Sequence, residues 1–249
     1  MNPRTDWWST FFTGLVVECQ KDMLPPEWTR AEVDFIAKTL SPAPGARLLD
    51  VPCGDGRIAI ELAARGFQVT GVDFTPAIID WARGKARERG IEVAFEVRDM
   101  RDLPWRGEFD AAFCFCNSFS YFDDAGNAEF LRAAARVLEP GGRFILNAAT
   151  VAECILPNFN ECSWGEMGEL HFLRKARIEH AEGRCVSEYT LIRGGEVERK
   201  AAAYRIYTYR ELAGLLHEAG FAKLEAFGST GGEPFGFGSK DCYIVATKN

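Results

Sequence analysis

The sequence predicts an α/β protein with a doubly wound, mostly parallel sheet, on three observations. Short apolar segments alternate with amphipathic segments from about residue 46 to 149, the pattern of parallel strands joined by helices. Four successive apolar segments end in polar residues, as expected where ligands bind at the carboxyl ends of parallel strands. The first apolar segment enters a glycine-containing turn and a helix start, where backbone can approach a ligand closely.

The elements of this sheet follow in chain order. One predicted strand ends at Asp50. The others are Gln68–Asp73, about Val93–Val97, Phe109–Cys116, Phe221–Phe227 and Tyr243–Thr247. Apolar residues at helical spacing predict two of the helices. They are Phe130, Ala134, Val137 and Leu138 in one helix, and Leu212, Leu215, Leu216 and Ala219 in the other. Residues 45–149 and 207–249 are thus predicted to form one domain.

Between about Thr150 and Tyr207 the pattern changes to β segments separated by glycine turns. These segments are Leu170–Ile178, Arg184–Ile192 and Glu196–Ile206. We interpret residues 150–206 as a small antiparallel sheet, inserted after the fifth strand, that covers the substrate. The alternative is a set of hairpins that decorates the fold or forms a dimer.

The N-terminal region, residues 1–44, is rich in aromatic side chains. Trp7, Trp8, Phe11, Phe12 and Trp28 all lie in it. We predict a helical lid that folds over the ligand and excludes water during the reaction. The alternative is that this segment packs only on the flank of the sheet.

The glycine turn has more than one interpretation. Gly54 and Gly56 also fit the dinucleotide fingerprint, in which such a turn approaches a pyrophosphate. Here Asp50 ends the strand and Asp55 lies between the glycines, and two carboxylates favour a cationic amino-acid group over a phosphate. Ordinary turn chemistry is the other alternative. Asp73 lies 17 residues after Gly56 (73 − 56), close to the spacing of a carboxylate that binds ribose hydroxyls.

These motifs resemble those of the class I S-adenosylmethionine-dependent methyltransferases. The segment Asp50-Val-Pro-Cys-Gly54-Asp-Gly56 resembles the acid–glycine motif of that family, and Val72-Asp73 resembles its ribose-binding acid. Arg98-Asp99-Met100 resembles its adenine-edge motif, and Leu138–Phe144 resembles the turn before its fifth strand. The resemblance covers about residues 45–150 and 207–249. One departure is Pro52, where the family usually has a glycine, so Gly54 and Gly56 carry the close approach. The inserted sheet resembles that of the glycine and amino-sugar N-methyltransferases.

The resemblance implies a seven-stranded methyltransferase fold of Rossmann type with S-adenosylmethionine as cofactor. The implied cofactor-binding residues are Asp50, Pro52, Cys53, Gly54, Gly56, Asp73, Phe74, Asp99, Met100 and Cys116. The backbone at Gly54 and Gly56 would meet the methionine part, Asp73 the ribose and Phe74 the adenine. Asp99 would accept from the adenine amino group, and Met100 would cover the ring. Capping of a helix or turn is the alternative role for Asp73 and Asp99.

The acceptor side is less specific. Candidate catalytic residues are Asn117, Tyr121 and His171, and candidate substrate-binding residues are Trp8, Arg57, Ser118, Arg205 and Tyr207. Asn117, Ser118 and Tyr121 follow the fourth strand, where the methyl group is expected to emerge. Histidine is a common general base, so His171 could act as one. Asn and Ser are also common in turns, and a lone histidine in a β segment is often structural.

Charge and composition limit the class of partner and the cellular location that can be expected. The 249 residues carry a net charge of −7 without a basic cluster, which disfavours a nucleic-acid partner. The start lacks the apolar core of a signal peptide, and Phe11–Val17 is too short to span a bilayer. The eight cysteines are dispersed, so we expect reduced thiols and no metal site. A cytoplasmic monomer or homodimer without membrane contact is predicted.

The predicted function is transfer of a methyl group from S-adenosylmethionine to a nitrogen or oxygen atom of a small-molecule acceptor, by in-line displacement. The sequence lacks an Asn-Pro-Pro-Tyr or Asp-Pro-Pro-Tyr box after the fourth strand, which argues against methylation of amino groups on DNA bases. Two alternatives remain. One is a domain that binds the cofactor without catalysis, and the other is a nicotinamide-dependent oxidoreductase.

Overall fold

A computed structural model describes residues 3, 5–22 and 25–249. The strands are β1 (Arg47–Asp50), β2 (Gln68–Asp73), β3 (Ala94–Val97), β4 (Phe109–Cys114), β5 (Leu138–Asn147), β6 (Cys162–Met167), β7 (Leu170–Glu179), β8 (Arg184–Arg193), β9 (Glu196–Arg205), β10 (Phe221–Phe227) and β11 (Tyr243–Lys248). The helices are α1 (Trp8–Phe11), α2 (Leu15–Asp22), α3 (Pro26–Leu40), α4 (Arg57–Ala64), α5 (Pro76–Glu88), α6 (Asp124–Val137), α7 (Ala152–Ile155) and α8 (Tyr209–Ala219).

Seven strands form the main sheet in the order β10-β11-β5-β4-β1-β2-β3. The pairs from β5 to β3 are parallel, whereas β11 runs antiparallel to both β5 and β10. The order reverses between β1 and β4, and such a point opens a crevice at the carboxyl ends of the strands. The predicted fold class, a doubly wound and mostly parallel sheet of seven strands, is confirmed.

Helices cover both faces of the main sheet. Ile36 of α3, Leu62 of α4 and Ile79 of α5 are fully buried in one cluster, and Phe130 of α6 and Leu216 of α8 are fully buried in a second cluster. Their helical spacing places each apolar stripe against the sheet. The two cores hold the ends of β1, β2 and β4 in fixed positions, which is what a ligand site at those ends requires.

The second sheet is antiparallel, with strand order β6-β7-β8-β9. Three of its strands match the predicted segments, and the insertion follows β5 as expected. The sequence did not predict β6, because this edge strand is half-exposed and lacks an alternating apolar pattern. Leu170, Val186, Leu191 and Ala202 are buried on this sheet and form a separate core with residues near the N-terminus.

The N-terminal residues occupy two environments. Near α1, the Trp7 indole Nε1 donates to the Ala203 carbonyl of β9 at 3.1 Å, and the Leu15 amide donates to Glu198 Oε2 at 2.6 Å. Helix α3 instead packs with α4 against the main sheet. Residues 1, 2, 4, 23 and 24 of the predicted lid lie outside the described residues.

The end of β4 differs from the prediction. The strand stops at Cys114 rather than Cys116, because the backbone turns at Cys116 and Asn117, whose φ angles are 56° and 53°. Left-handed backbone is uncommon outside glycine and cannot continue a strand. The turn directs the residues after Asn117 along the carboxyl edge of the sheet.

Candidate active site

One cavity of about 340 Å³ lies at the carboxyl ends of β1 to β4, between the main sheet, the second sheet and the N-terminal residues. Its wall has two parts. The ends of β1 and β2 and the loops after β1 and β3 supply four carboxylates, from Asp50, Asp73, Asp55 and Asp99. Aromatic and apolar side chains from the N-terminal residues, the loop after β4 and the second sheet supply the opposite wall. We call the first part the acidic half and the second part the aromatic half.

Asp50 is the most buried carboxylate of the acidic half. The β1 residue is 2% exposed, and its Oδ2 has no hydrogen-bond partner among the described residues. Burial raises the pKa of Asp50 well above its ordinary value, while the Arg57 guanidinium lowers it. A buried polar atom without a partner is costly. An oxygen of this kind in a cavity wall is suited to accept a hydrogen bond from a ligand.

Gly54 and Asp73 form the centre of the acidic half. The Gly54 amide donates to Asp73 Oδ2 at 3.2 Å, and the Thr75 amide donates to Oδ1 at 2.8 Å. Burial raises the pKa of Asp73, and these backbone hydrogen bonds lower it. Gly54 has φ of +53°, and a Cβ built there meets no atom within 4 Å. The glycine therefore leaves open space beside a fixed carboxylate.

Gly56, the second glycine of the motif, has a different role. A Cβ at Gly56 would meet the Phe95 ring at 2.5 Å, and the residue does not line the cavity. The predicted ligand contact at Gly56 is therefore corrected to close packing of α4 on β3. Pro52 and Cys53 do line the cavity, and the Cys53 amide donates to the Val72 carbonyl at 2.8 Å. That bond ties the turn after β1 to β2.

Asp99 lines the cavity with Met100 and Phe74, but its carboxylate already has a partner. Arg101 donates to it from Nε at 2.9 Å and from Nη2 at 2.6 Å. Burial raises the pKa of Asp99, but the bonds from Arg101 outweigh burial and the net shift is downward. The Arg101 guanidinium also lies 4.1 Å from the Phe122 ring centroid. The sequence did not predict this pair.

The aromatic half combines three parts of the chain. Its lining residues are Trp8, Phe11, Phe12, Val16, Phe115, Tyr121, Phe122, Met167, Phe172, Tyr189, Leu191 and Tyr204. Trp8 connects the two halves, since its ring centroid lies 5.0 Å from that of Phe74 and 5.2 Å from that of Phe122. The acceptor candidate Trp8 thus lies in the cavity wall, beside the predicted adenine contact.

Hydroxyl groups are the main polar groups of the aromatic half. Ser118, Tyr121, Tyr189 and Tyr204 all lie in its wall. Burial raises the pKa of Tyr121 and of Tyr204 well above the ordinary value of a phenol. Both phenols therefore stay protonated at neutral pH and can donate a hydrogen bond to a ligand.

Arg57 and Cys116 lie where the two halves meet. Arg57 Nη2 lies 2.9 Å from the Cys116 sulfur, and Nη1 is bonded to Glu32 of α3 and to Thr29 Oγ1. Burial raises the pKa of the Cys116 thiol, although Arg57 lowers it. The guanidinium is thus neutralised by Glu32. Arg57, a predicted substrate-binding residue, lines the cavity and also links α3 to the loop after β4.

Two of the three predicted catalytic residues lie outside the cavity wall. Asn117 Oδ1 accepts from the Thr150 amide at 3.1 Å, and the Asn117 amide donates to Asn147 Oδ1 at 2.9 Å. These bonds fix the loop after β4. His171 lies beside Glu166 at 3.3 Å with its side chain 52% exposed. Its neighbour Phe172 faces the cavity, and the period of two in a strand turns His171 to the other face.

Arg205 and Tyr207 also lie outside the cavity wall. Arg205 Nε and the Tyr207 hydroxyl each donate to Asp124 Oδ1 at 2.8 Å, and Asn127 Nδ2 donates to the Tyr207 oxygen at 3.1 Å. The predicted acceptor contacts are therefore corrected to a junction between β9 and α6. Tyr204, one residue before Arg205, reaches the cavity instead.

Sequence reasoning missed most of the aromatic half. Phe172, Tyr189 and Leu191 alternate with residues of the opposite face, and β7–β9 carry several such apolar positions. The alternation predicted strands but not which face meets the cavity. The available signal was the cluster of aromatic residues near the N-terminus, whose packing partners lie about 190 residues away in the chain, as in the bond between Trp7 and Ala203.

The remainder of the described structure adds no second site of this kind. A larger, more open groove of about 770 Å³ lies at the amino ends of the strands. Its only acidic residues are Glu92 and Glu108. Within residues 3, 5–22 and 25–249, no group of three or more metal-binding side chains occurs and no helix is long and apolar enough to cross a bilayer.

Comparison with known proteins identifies the core of the chain. The sequence model of the methyltransferase domain family matches residues 48–142. A ubiquinone biosynthesis O-methyltransferase from Xanthomonas axonopodis pv. citri (strain 306) is 35% identical over 117 residues, which are 46% of this chain and 47% of that protein. The chain therefore matches about half the length of this curated relative.

Solved structures resemble almost the whole chain. An S-adenosylmethionine-dependent methyltransferase from Clostridium acetobutylicum ATCC 824 superposes with a TM-score of 0.77 at 18% identity, covering 89% of this chain and 92% of the other. CalS10, an amino pentose methyltransferase from Micromonospora echinaspora solved with S-adenosylmethionine bound, gives 0.68 at 20% identity, covering 96% and 99%. At these identities the likeness shows a shared fold. The matched domain shows that residues 48–142 resemble the methyltransferase domain family, as the motifs predicted.

Proposed function

We propose that this protein transfers a methyl group from S-adenosylmethionine to a nitrogen or oxygen atom of a small-molecule acceptor. One observation carries the proposal: a single cavity joins an acidic half, built on the matched domain, to an aromatic half lined mainly by side chains from outside that domain. A cofactor and an acceptor bound in these halves would meet near Cys116 and Ser118, at the carboxyl end of β4.

The residues of the acidic half fit the cofactor. The unpartnered, buried Oδ2 of Asp50 suits the ammonium group of the methionine part, whose charge would offset the cost of a buried carboxylate. The open space at Gly54 allows close approach to that part. Asp73, anchored by two backbone amides, is positioned to accept from ribose hydroxyls. Phe74 and Met100 supply apolar surface for the adenine.

When bound, the cofactor supplies an electrophilic methyl group on a sulfonium. The protein aligns the acceptor and excludes water. Orientation alone can contribute up to roughly 7–11 kcal/mol to a displacement of this kind. Ser118 and Tyr121 line the wall where the halves meet, so their hydroxyls are the groups that orient the acceptor. Protonated phenols do this as hydrogen-bond donors.

The N-terminal residues and residues 150–206 cover the reacting groups in this proposal. Trp8, Phe11, Phe12 and Val16 line the cavity from one side and the second sheet from the other. Lys200 donates to the Thr10 carbonyl at 2.9 Å and to Thr13 Oγ1 at 2.7 Å, so the two covers are held together.

The cellular context belongs to the same proposal. We assign the protein to the cytoplasm, as a monomer or homodimer without a nucleic-acid partner. The net charge of −7 supports the last point. Seven cysteines with described side chains are free thiols, among them Cys53, Cys114 and Cys116, as is usual in a reducing compartment.

A methyl-transfer assay tests the proposal. The protein is incubated with isotopically labelled S-adenosylmethionine and a panel of amine and hydroxyl metabolites, and labelled product is measured by mass spectrometry. We expect a labelled product and one equivalent of S-adenosylhomocysteine. Tight cofactor binding without product from any acceptor would favour a non-catalytic binding domain. Binding of a nicotinamide cofactor instead would favour the oxidoreductase alternative.

A further inference from the structure

The chemistry of the aromatic half narrows the chemical class of the acceptor, provided that the proposed methyl transfer holds. The four carboxylates that line the cavity, from Asp50, Asp55, Asp73 and Asp99, lie at the carboxyl ends of β1–β3 or in the loops that follow them. No carboxylate or imidazole of the described residues lines the aromatic half. An acceptor bound in the aromatic half would therefore contact ring faces, aliphatic side chains and a few hydroxyl groups.

Among the described residues, no side chain in this wall is suited to remove a proton from an acceptor. Burial raises the pKa of Tyr121 and of Tyr204, so these phenols are poor bases at neutral pH. The Cys116 thiol has a raised pKa as well, and Arg57 is paired with Glu32. His171 faces away, half-exposed, beside Glu166. An alcohol is a weak nucleophile until it is deprotonated, and no described group in this wall is suited to accept its proton.

An amine has different requirements. Its neutral form carries a free lone pair, and an aromatic, water-poor wall favours the neutral form over the ammonium ion. The ring faces of Phe12, Tyr121 and Phe172 can also stabilise positive charge that develops on nitrogen during attack. The body of the molecule must be mainly apolar, because hydroxyls of a polyol would lose water in this wall without gaining enough hydrogen-bond partners.

We propose that the acceptor is a primary or secondary amine on an apolar ring body, and that the aromatic half selects it over alcohols and over polyhydroxylated amines. The nitrogen lone pair forms the N–C bond as the C–S bond breaks, and the sulfur keeps the electron pair. The nitrogen, now cationic, releases its proton to water. Tyr121 and Ser118 orient the amine, and the rings of the N-terminal residues and of the second sheet hold its body.

Three probes separate the parts of this proposal. Phenethylamine has both features, 2-phenylethanol has the same body with a hydroxyl, and glucosamine has the amine on a polyol. Binding is followed by calorimetric titration with S-adenosylhomocysteine present, and methylation by mass spectrometry with S-adenosylmethionine. We expect phenethylamine to bind roughly ten-fold more tightly than the other two and to be the best methylated.

A matched pair of variants checks that the aromatic half makes the choice. Phe12→Leu removes a ring face from the cavity wall, whereas Phe237→Leu makes the same change at a position that is 81% exposed and outside it. We expect Phe12→Leu to weaken phenethylamine binding several-fold without changing cofactor affinity, and Phe237→Leu to change neither. Equal effects of the two variants on phenethylamine would overturn the assignment.

The pH profile gives an independent readout. If no enzyme base takes part, kcat/KM rises with pH until the amine itself is neutral. The midpoint of the kcat/KM profile should then move to a lower pH when phenethylamine is replaced by its less basic 2,2-difluoro analogue. An unchanged midpoint would reveal an enzyme base and overturn the proposal.

A separate measurement tests the proposed methyl transfer itself. Calorimetry with S-adenosylmethionine establishes whether the cofactor binds. If it binds and phenethylamine is neither bound nor methylated, or if 2-phenylethanol or glucosamine is preferred, the amine assignment fails while the methyltransferase proposal stands. If the cofactor does not bind to folded protein, the proposed function itself fails.

Discussion

The carboxylate of Asp73 accepts a hydrogen bond from the Gly54 amide at 3.2 Å. The acid that ends β2 is thereby joined to the glycine turn that follows β1, and both lie in the wall of one cavity. A sequence separation of 19 residues becomes a direct contact because β1 and β2 are adjacent and parallel. This contact fixes the part of the cavity in which we place the cofactor.

The first prediction concerns Gly54. Gly54→Ala should cost about 1–2 kcal/mol of folding free energy, because φ is +53° and left-handed backbone is unfavourable for alanine. It should also lower the affinity for S-adenosylmethionine roughly ten-fold or more, because the new methyl group enters open space in the cavity wall. Urea unfolding and calorimetry measure the two effects.

Gly45→Ala is the matched control for that variant. Gly45 has φ of +76°, also has no atom within 4 Å of a built Cβ, and lies outside the cavity wall. It should lose similar stability and keep full affinity. An equal loss of affinity in both variants would show that strain, and not ligand approach, explains the effect.

The second prediction concerns the pH dependence of stability through Asp50. Burial raises the pKa of this carboxyl, so the folded state holds the proton more tightly than the unfolded state. The contribution of Asp50 to stability is therefore lost as pH rises from about 4, the ordinary pKa, through the raised folded value. Asp50→Asn should become increasingly more stable than the parent over this rise, with a higher Tm by a few degrees.

Asp34→Asn is the control for Asp50→Asn, since the Asp34 side chain is 67% exposed. Asp34 pairs with Arg65 on the surface at 2.6 Å, so this variant should change the Tm by less than Asp50→Asn does. Asp50→Asn should also bind S-adenosylmethionine more weakly, because the buried anion is lost. A Tm advantage that shrinks as pH rises would contradict the raised pKa.

The third prediction concerns the ion pair of Arg57 and Glu32, each with a side chain only 13% exposed. Arg57→Met leaves the Glu32 carboxylate buried without its partner, and should destabilise the protein by up to about 3–5 kcal/mol. The double variant Arg57→Met/Glu32→Leu should recover part of this loss. Urea unfolding of the two single variants and the double variant gives the coupling energy, and a coupling near zero would refute the pair's structural role.

The fourth prediction concerns the cover formed by the N-terminal residues. Trp7→Phe removes one of two donors to the Ala203 carbonyl, which keeps the bond from Arg184 Nη1 at 3.2 Å, so the cost should be about 0.5–1.5 kcal/mol. Amide hydrogen exchange of residues 7–18 should accelerate, and acceptor affinity should fall. Trp28→Phe, at a position 60% exposed, should change neither. Unchanged exchange in Trp7→Phe would mean that the bond does not hold the cover.

The sequence predicted the main sheet and the acidic half well, for a local reason. Each strand end carries its ligand-facing group within a few residues of an apolar run, so that Asp50, Gly54, Asp73 and Met100 could be placed from chain order and parallel pairing alone. Gly56 was misplaced because a glycine can serve either ligand approach or packing, and only the position of Phe95 distinguishes them.

The aromatic half could not be predicted in the same way. Its residues come from segments nearly 190 positions apart, and their contacts depend on how the second sheet folds over the first. His171 and Phe172 illustrate the difficulty, since a shift of one residue exchanges the two faces of a strand. Arg205 and Tyr207 were misassigned because their polar groups meet Asp124, a contact that chain order does not reveal.

Calorimetric titration with S-adenosylmethionine tests the central claim most directly, with Asp73→Ala as the variant and Asp80→Ala as the control. Asp80 lies on α5 with its side chain 73% exposed. We predict about micromolar affinity for the parent and for Asp80→Ala, and a loss of roughly 100-fold in Asp73→Ala, with all three proteins folded by circular dichroism. A folded parent that does not bind S-adenosylmethionine, or an Asp73→Ala variant that binds as tightly as the parent, would contradict the account.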